Sequence, residues 1–183
     1  MMARNSTSFH VALYISNVNI MRLLTQDKFV KKLSLVHPIH FLALGFGSGK
    51  AAKAPGTFGT LAAIPLVLLM QQLSLTHYLI ITCISMLAGF YICGKAAKDM
   101  GVHDHGAIVW DEVVGLMITM IAAPLGFMWL ALGFVLFRFF DIVKPWPIRW
   151  LDAKVHGGFG IMIDDVLAGV FSLIGVQLAV YYL

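Results

Sequence analysis

Apolar residues run along this chain in blocks too long for amphipathic surface helices, and the few polar positions fall between the blocks rather than within them. The runs predict helices over 57–73, 77–94, 107–123, 126–143 and 163–183, with a shorter apolar piece at 41–46. The first is the weakest as a span. Its uninterrupted part, 58–70, has only 13 residues and contains Pro65, so a tilted, kinked or re-entrant helix is expected there. Pro124 and Gly126 in "AAPLG" divide what would otherwise be one overlong run. The expected fold is all-α: a polytopic membrane helical bundle of four to five spanning helices, with short helices in the N-terminal part and the loops.

Composition agrees with this pattern. Of 183 residues, 60% are hydrophobic and 12% charged, against roughly half and a quarter in soluble domains. Residues 1–36 read as a basic, poorly ordered extension, and 37–183 as a single membrane domain. Ser16, Asn17 and Asn19 interrupt the apolar run near the start, and no small-residue cleavage site follows, which excludes a signal peptide. Cys83 and Cys93 stand ten residues apart on one predicted helix, about 15 Å along its axis, so no disulfide joins them.

The thirteen Lys and Arg fall in three groups: seven before Ala54, then Lys95 and Lys98, then Arg138, Lys144, Arg149 and Lys154. A chain that crosses at every run returns these groups to one side, which the positive-inside rule makes cytoplasmic. The net charge of +4 is therefore read as topology and contact with anionic lipid headgroups, not as nucleic-acid binding. All the acids except Asp27 belong to the same side. Chemistry is expected there.

Three acidic spots stand near predicted helix ends: Asp111 and Glu112 in "VWDEVVG", Asp141 in "FRFFDIVKPWP", and Asp164 with Asp165 in "IMIDDVLAG". Single acids at helix N-termini cap them. A pair at the mouth of an apolar helix, with Asp111 in a similar setting, exceeds what capping requires, and ionisable groups at membrane depth are costly enough to imply function. Five carboxylates from three helices suit Mg²⁺, a hard cation that takes a few carboxylate oxygens and is completed by water and substrate phosphate. Arg138, Asp141 and Lys144, at i, i+3 and i+6, add cations on the same helix face that can reach a phosphate. Pro145 then ends that helix.

Two further motifs are less specific. "GFGSGKAAKAPGTFGT" lacks the glycine at 44 and the Ser or Thr at 51 that a P-loop needs, and it reads instead as a flexible loop whose amides, with Thr57 at a helix N-terminus, can meet an anion. The competing reading is a plain turn with Thr57 as the N-cap. "MGVHDHG" offers His103, Asp104 and His105; these are too few ligands for structural zinc but could bind phosphate or carry a proton. An ordinary hydrogen-bonded loop accounts for them equally well.

Taken together, "GFGSGKAAKAPGTFGTLAAIP", "AAKDMGVHDHGAIVWDEVVG" and "FRFFDIVKPWPIRWLDAKVHGGFGIMIDDVLAG" resemble the phosphatidylglycerophosphatase A family over residues 37–183. Ala52 and Thr60 stand where relatives tend to carry proline and serine. The resemblance implies an all-helical, Mg²⁺-dependent phosphatase of the bacterial inner membrane that converts phosphatidylglycerophosphate to phosphatidylglycerol and inorganic phosphate at the cytoplasmic face. On that reading Asp111, Glu112, Asp141, Asp164 and Asp165 form the metal and catalytic cluster. Arg138, Lys144, Thr57, His103 and His105 contact the substrate. The aspartyl-nucleophile signature D-x-D-x-[TV] is absent, which favours attack by water. A small transporter or channel is the alternative, and the concentration of charge at one face argues against it. Homo-oligomerisation is left open.

Overall fold

The computed structural model of the chain describes residues 28–183. Within them the order is α1 (Pro38–Ala43), a 3-10 segment (Gly45–Lys50), α2 (Pro55–Met70), α3 (Leu75–Met100), α4 (Trp110–Thr119), α5 (Phe127–Val143), α6 (Ile148–Lys154) and α7 (Gly157–Tyr182), with no strand among the described residues. The all-helical expectation holds. Of the expected N-terminal extension, residues 1–27 lie outside the described residues. In 28–36, Leu33 is buried in the core and Lys32 Nζ donates to the Met100 carbonyl at 2.7 Å.

Helix lengths depart from the expected spans in instructive ways. Helices α3 and α7, each of 26 residues, rise about 39 Å and are apolar enough to cross a bilayer whose hydrocarbon is roughly 30 Å thick. Helix α3 outruns its expected end at Gly94 because the Lys95–Asp99 ion pair, at i and i+4, bridges its last turns. Gly101, left-handed at φ 75°, then closes it. Helix α2 continues through Pro65 for 16 residues, and α5 has 17.

The run 107–123 yields only the ten residues of α4, about 15 Å of rise, too short to span. Eight of its ten residues are buried, so its apolarity serves protein core rather than lipid. A short helix ending in an apolar interior must find donors for its last carbonyls. Tyr78 of α3 donates its hydroxyl to Met117 O in the last turn at 2.7 Å, and just past the helix Gln177 of α7 donates to Ile121 O at 2.8 Å.

Helix α7 is the axis of the fold, packing against α3, α4, α5 and α6, while α2 covers the remaining side of α4. The α4–α7 contact is close because small residues face each other. A Cβ on Gly169 would lie 2.7 Å from Gly115 O, and one on Gly115 would collide with the Phe137 ring. Gly169→Val should therefore overpack this seam and destabilise the protein by about 1–3 kcal/mol. A lowered thermal midpoint in detergent is the expected outcome, and an unchanged one would show the seam to be loose.

Candidate active site

Helix α7 begins at Gly157, six residues earlier than the apolar run suggested, and this changes what its acids are. Asp164 and Asp165 lie two turns inside the helix, 7% and 3% exposed. They cannot cap its N-terminus. Helix α4 begins at Trp110, so Asp111 and Glu112 fall in its first turn and do meet the positive end of a helix. Because α4 and α7 pack closely, the two pairs converge. Single carboxylate oxygens of Asp111, Glu112 and Asp165 all lie within 4.8 Å of one another.

Four oxygens of this group, Asp111 Oδ1, Glu112 Oε2, Asp164 Oδ1 and Asp165 Oδ2, are buried with no hydrogen-bond partner. Buried carboxylates left this way are expensive unless a cation meets them. Hard oxygen donors in this number and spacing are the kind that suit Mg²⁺, which Asp111, Glu112 and Asp165 would hold, with Asp141 and Asp164 beside them.

Helix α5 brings the protein's own cations. Arg138 Nη1 lies 2.6 Å from Asp141 Oδ2, 3.9 Å from Glu112 Oε1 and 3.5 Å from the Thr60 hydroxyl. Arg138 thus ties α5 to α4 and α2 and does not line the cavity. Expected as a phosphate ligand, it is engaged here with Glu112 and Asp141, whose negative charge it offsets. Lys144 is not on the α5 face. It caps the helix in the left-handed region at φ 44°, and this turn aims Nζ back at the site, 2.8 Å from Asp152 Oδ1 and 2.6 Å from Asp164 Oδ2. Burial pushes the Lys144 ammonium pKa down, but hydrogen bonds to Asp152 and Asp164 more than offset this and leave it above the ordinary lysine range. It is a cation throughout the neutral range.

These groups line a cavity of about 410 Å³, together with His103, Asp104, Asp152, His156 and the backbone around Gly160. His103 lines this cavity: its Nε2 accepts from the Gly157 amide at 3.3 Å, and its ring meets His156 edge-on at 4.8 Å. His105 does not. Its Nδ1 accepts from the Ala107 amide at 3.2 Å and its ring lies against Phe29, and burial lowers its pKa, so it is a neutral loop brace at pH 7. Thr57 is also outside the lining residues. The N-cap of α2 is Ala54 followed by Pro55, so Thr57 does not cap the helix, and Gly45–Lys50, expected as a flexible loop, forms a 3-10 segment packed on α2.

Asp104, offered by the "MGVHDHG" motif, lines the cavity, whereas the sequence reading missed Asp152 and His156. Asp152 had a signal: between Pro147 and Val155, "IRWLDAK" is a short helix that puts Ile148 and Asp152, at i and i+4, on one face. Gly56 was missed too. A Cβ there would strike Glu112 Oε1 and crowd both Arg138 Nη atoms, so α2 backs the cluster with bare backbone.

The model of the family described as phosphatidylglycerophosphatase A matches residues 41–180. The chain belongs to that family. A phosphatidylglycerophosphatase A of Haemophilus influenzae is 51% identical over 162 residues, covering 87% of this chain and 99% of that protein. One from Escherichia coli K12 is 52% identical over 155 residues, covering 83% and 90%. No solved structure matches. Membership makes the chain a phosphatase, and the matched span contains every acid of the cluster.

Gly56→Val should push Glu112 and Arg138 out of register from behind the cavity wall, costing about 10- to 100-fold in activity, as disturbance of the groups that position a site's side chains commonly does. Phosphate-release assays on folded, detergent-solubilised protein measure this. Retention of full activity would mean that Glu112 is dispensable.

Proposed function

We propose that this enzyme hydrolyses the terminal phosphomonoester of phosphatidylglycerophosphate, giving phosphatidylglycerol and inorganic phosphate, with Mg²⁺ held by Asp111, Glu112 and Asp165. The observation that carries the reading is the set of buried carboxylate oxygens without partners, drawn together from α4 and α7 and bordered by a cation-bearing cavity. Bound Mg²⁺ supplies charge neutralisation for the phosphoryl oxygens and orientation for water.

The chain's own groups do the rest. Lys144 is the cavity's phosphate-binding cation, and Asp152 and Asp164 fix where its ammonium stands. Asp141, held by Arg138, keeps its carboxylate at the cavity wall. His103 accepts the Gly157 amide at Nε2, which leaves its Nδ1–H free to donate a hydrogen bond to a substrate oxygen, and the proton released by the attacking water goes to the departing glycerol oxygen. In the overall step water adds oxygen to phosphorus, the P–O bond to glycerol breaks, and the leaving alkoxide takes a proton.

The site's place in the cell follows from the same residues. We read the chain as a multi-pass protein of the bacterial inner membrane with its cavity on the cytoplasmic face. Supporting this, α3 and α7 are long and apolar enough to cross, and among the described residues Lys144 lines the cavity while Arg149 and Lys154 stand on the helix that borders it. A lipid could then keep its acyl chains in the bilayer while its headgroup enters the cavity.

Purified enzyme should release phosphate from phosphatidylglycerophosphate with Mg²⁺ and lose this on chelation, and Asp111→Asn and Asp165→Asn should each lower kcat by at least about 10³-fold. Normal turnover in both variants would refute the cluster. In a cysteine-free background, a cysteine placed at Asp104 should resist membrane-impermeant maleimide in intact cells and react after permeabilisation. Labelling from outside would reverse the orientation.

A further inference from the structure

We propose that residues 142–154 form an interfacial anchor that lies in the headgroup layer of an anionic bilayer and sets the depth of the cavity rim. This deepens the lipid-phosphatase reading and rests on it for what the rim meets.

The short helix α6 has two faces with different jobs. Ile148 is fully buried, and Asp152, one turn later, lines the cavity and holds Lys144. Trp150 points the other way and is 55% exposed, and Trp146, in the turn before α6, is 82% exposed. Ile142 and Val143, at the end of α5, continue the apolar surface with 69% and 54% exposure. Arg149 and Lys154 are exposed beside them.

Two exposed indoles with neighbouring aliphatics are poor residues to leave in water. Tryptophan next to Arg and Lys is the pairing favoured at the membrane–water boundary, where the ring sits among headgroups and the cations meet lipid phosphates. Charge complementarity therefore selects an anionic bilayer as the occupant. Since α6 carries the anchor on one face and Asp152 on the other, the insertion depth of Trp146 and Trp150 is rigidly coupled to the height of the Lys144 ammonium. A membrane-embedded substrate would meet that ammonium without being lifted out of the leaflet.

The test uses the full chain in vesicles of phosphatidylglycerol and phosphatidylcholine, some carrying bromine near the glycerol end of the acyl chains and some near the chain terminus. The part of the tryptophan emission removed by Trp146→Phe/Trp150→Phe should be quenched by the shallow bromines, little affected by the deep ones, and shielded from aqueous iodide. Trp146→Ala/Trp150→Ala should raise KM for phosphatidylglycerophosphate in vesicles about tenfold while leaving kcat/KM for a short-chain, water-soluble analogue unchanged. Free access of iodide to these two residues in vesicles overturns the proposal, as does an unchanged vesicle KM. Shielding that grows with protein concentration in detergent alone also overturns it, assigning the surface to a second copy of the chain. The quenching arm needs no turnover, so its failure is distinguishable from failure of the phosphatase reading.

Discussion

Mutual repulsion of buried carboxylates is the constraint around which this protein is organised. Asp164 and Asp165 sit two turns inside an apolar helix, against Asp111 and Glu112 at the start of another, with Asp141 adjoining from a third. Five carboxylates face two cations, Arg138 and Lys144. Such a cluster opposes folding, since desolvation and like charge both act against the ionised forms. It persists because the helices that carry it are held together elsewhere by apolar packing, and because a divalent ion would convert the repulsion into binding energy.

The packing that overcomes this repulsion is concentrated along α7. The Gly115–Gly169 seam lets α4 approach closely enough for its two acids to join the pair on α7. Tyr78 and Gln177 allow α4 to end after ten residues inside an apolar surround. A longer α4 would run past the seam as an ordinary span.

Compensation at the cluster's edges is divided between two cations with different tasks. Arg138 is spent on Asp141, Glu112 and Thr60, tying three helices together behind the acids. Lys144 is turned by its left-handed backbone to the front, where it is shared between Asp152 and Asp164 and borders the cavity. The residues were both legible as cations on one predicted helix face, yet one serves structure and the other faces substrate space. The end of α5, one residue before Lys144, makes the difference.

What the sequence determined by itself was composition-driven: an all-helical chain, charge gathered at one end, three acidic spots and the family motifs. These are local or additive properties, and hydrophobic runs and residue spacing record them directly. Tertiary structure decided the rest. Whether an apolar run faces lipid or core depends on its neighbours, so 107–123 looked like a span and became the buried ten-residue α4. Whether a carboxylate caps a helix or lies inside it depends on where the helix starts, and the glycine-rich start of α7, "GGFG", hid six residues of it. His105 and Thr57 were assigned by motif, but a side chain's target is fixed by the packing of distant segments. Asp152 and His156 line the cavity for the same reason: the i, i+4 spacing of Ile148 and Asp152 marks a shared face of α6, but the direction that face takes is set by how the proline-bounded turn folds α6 over the cavity.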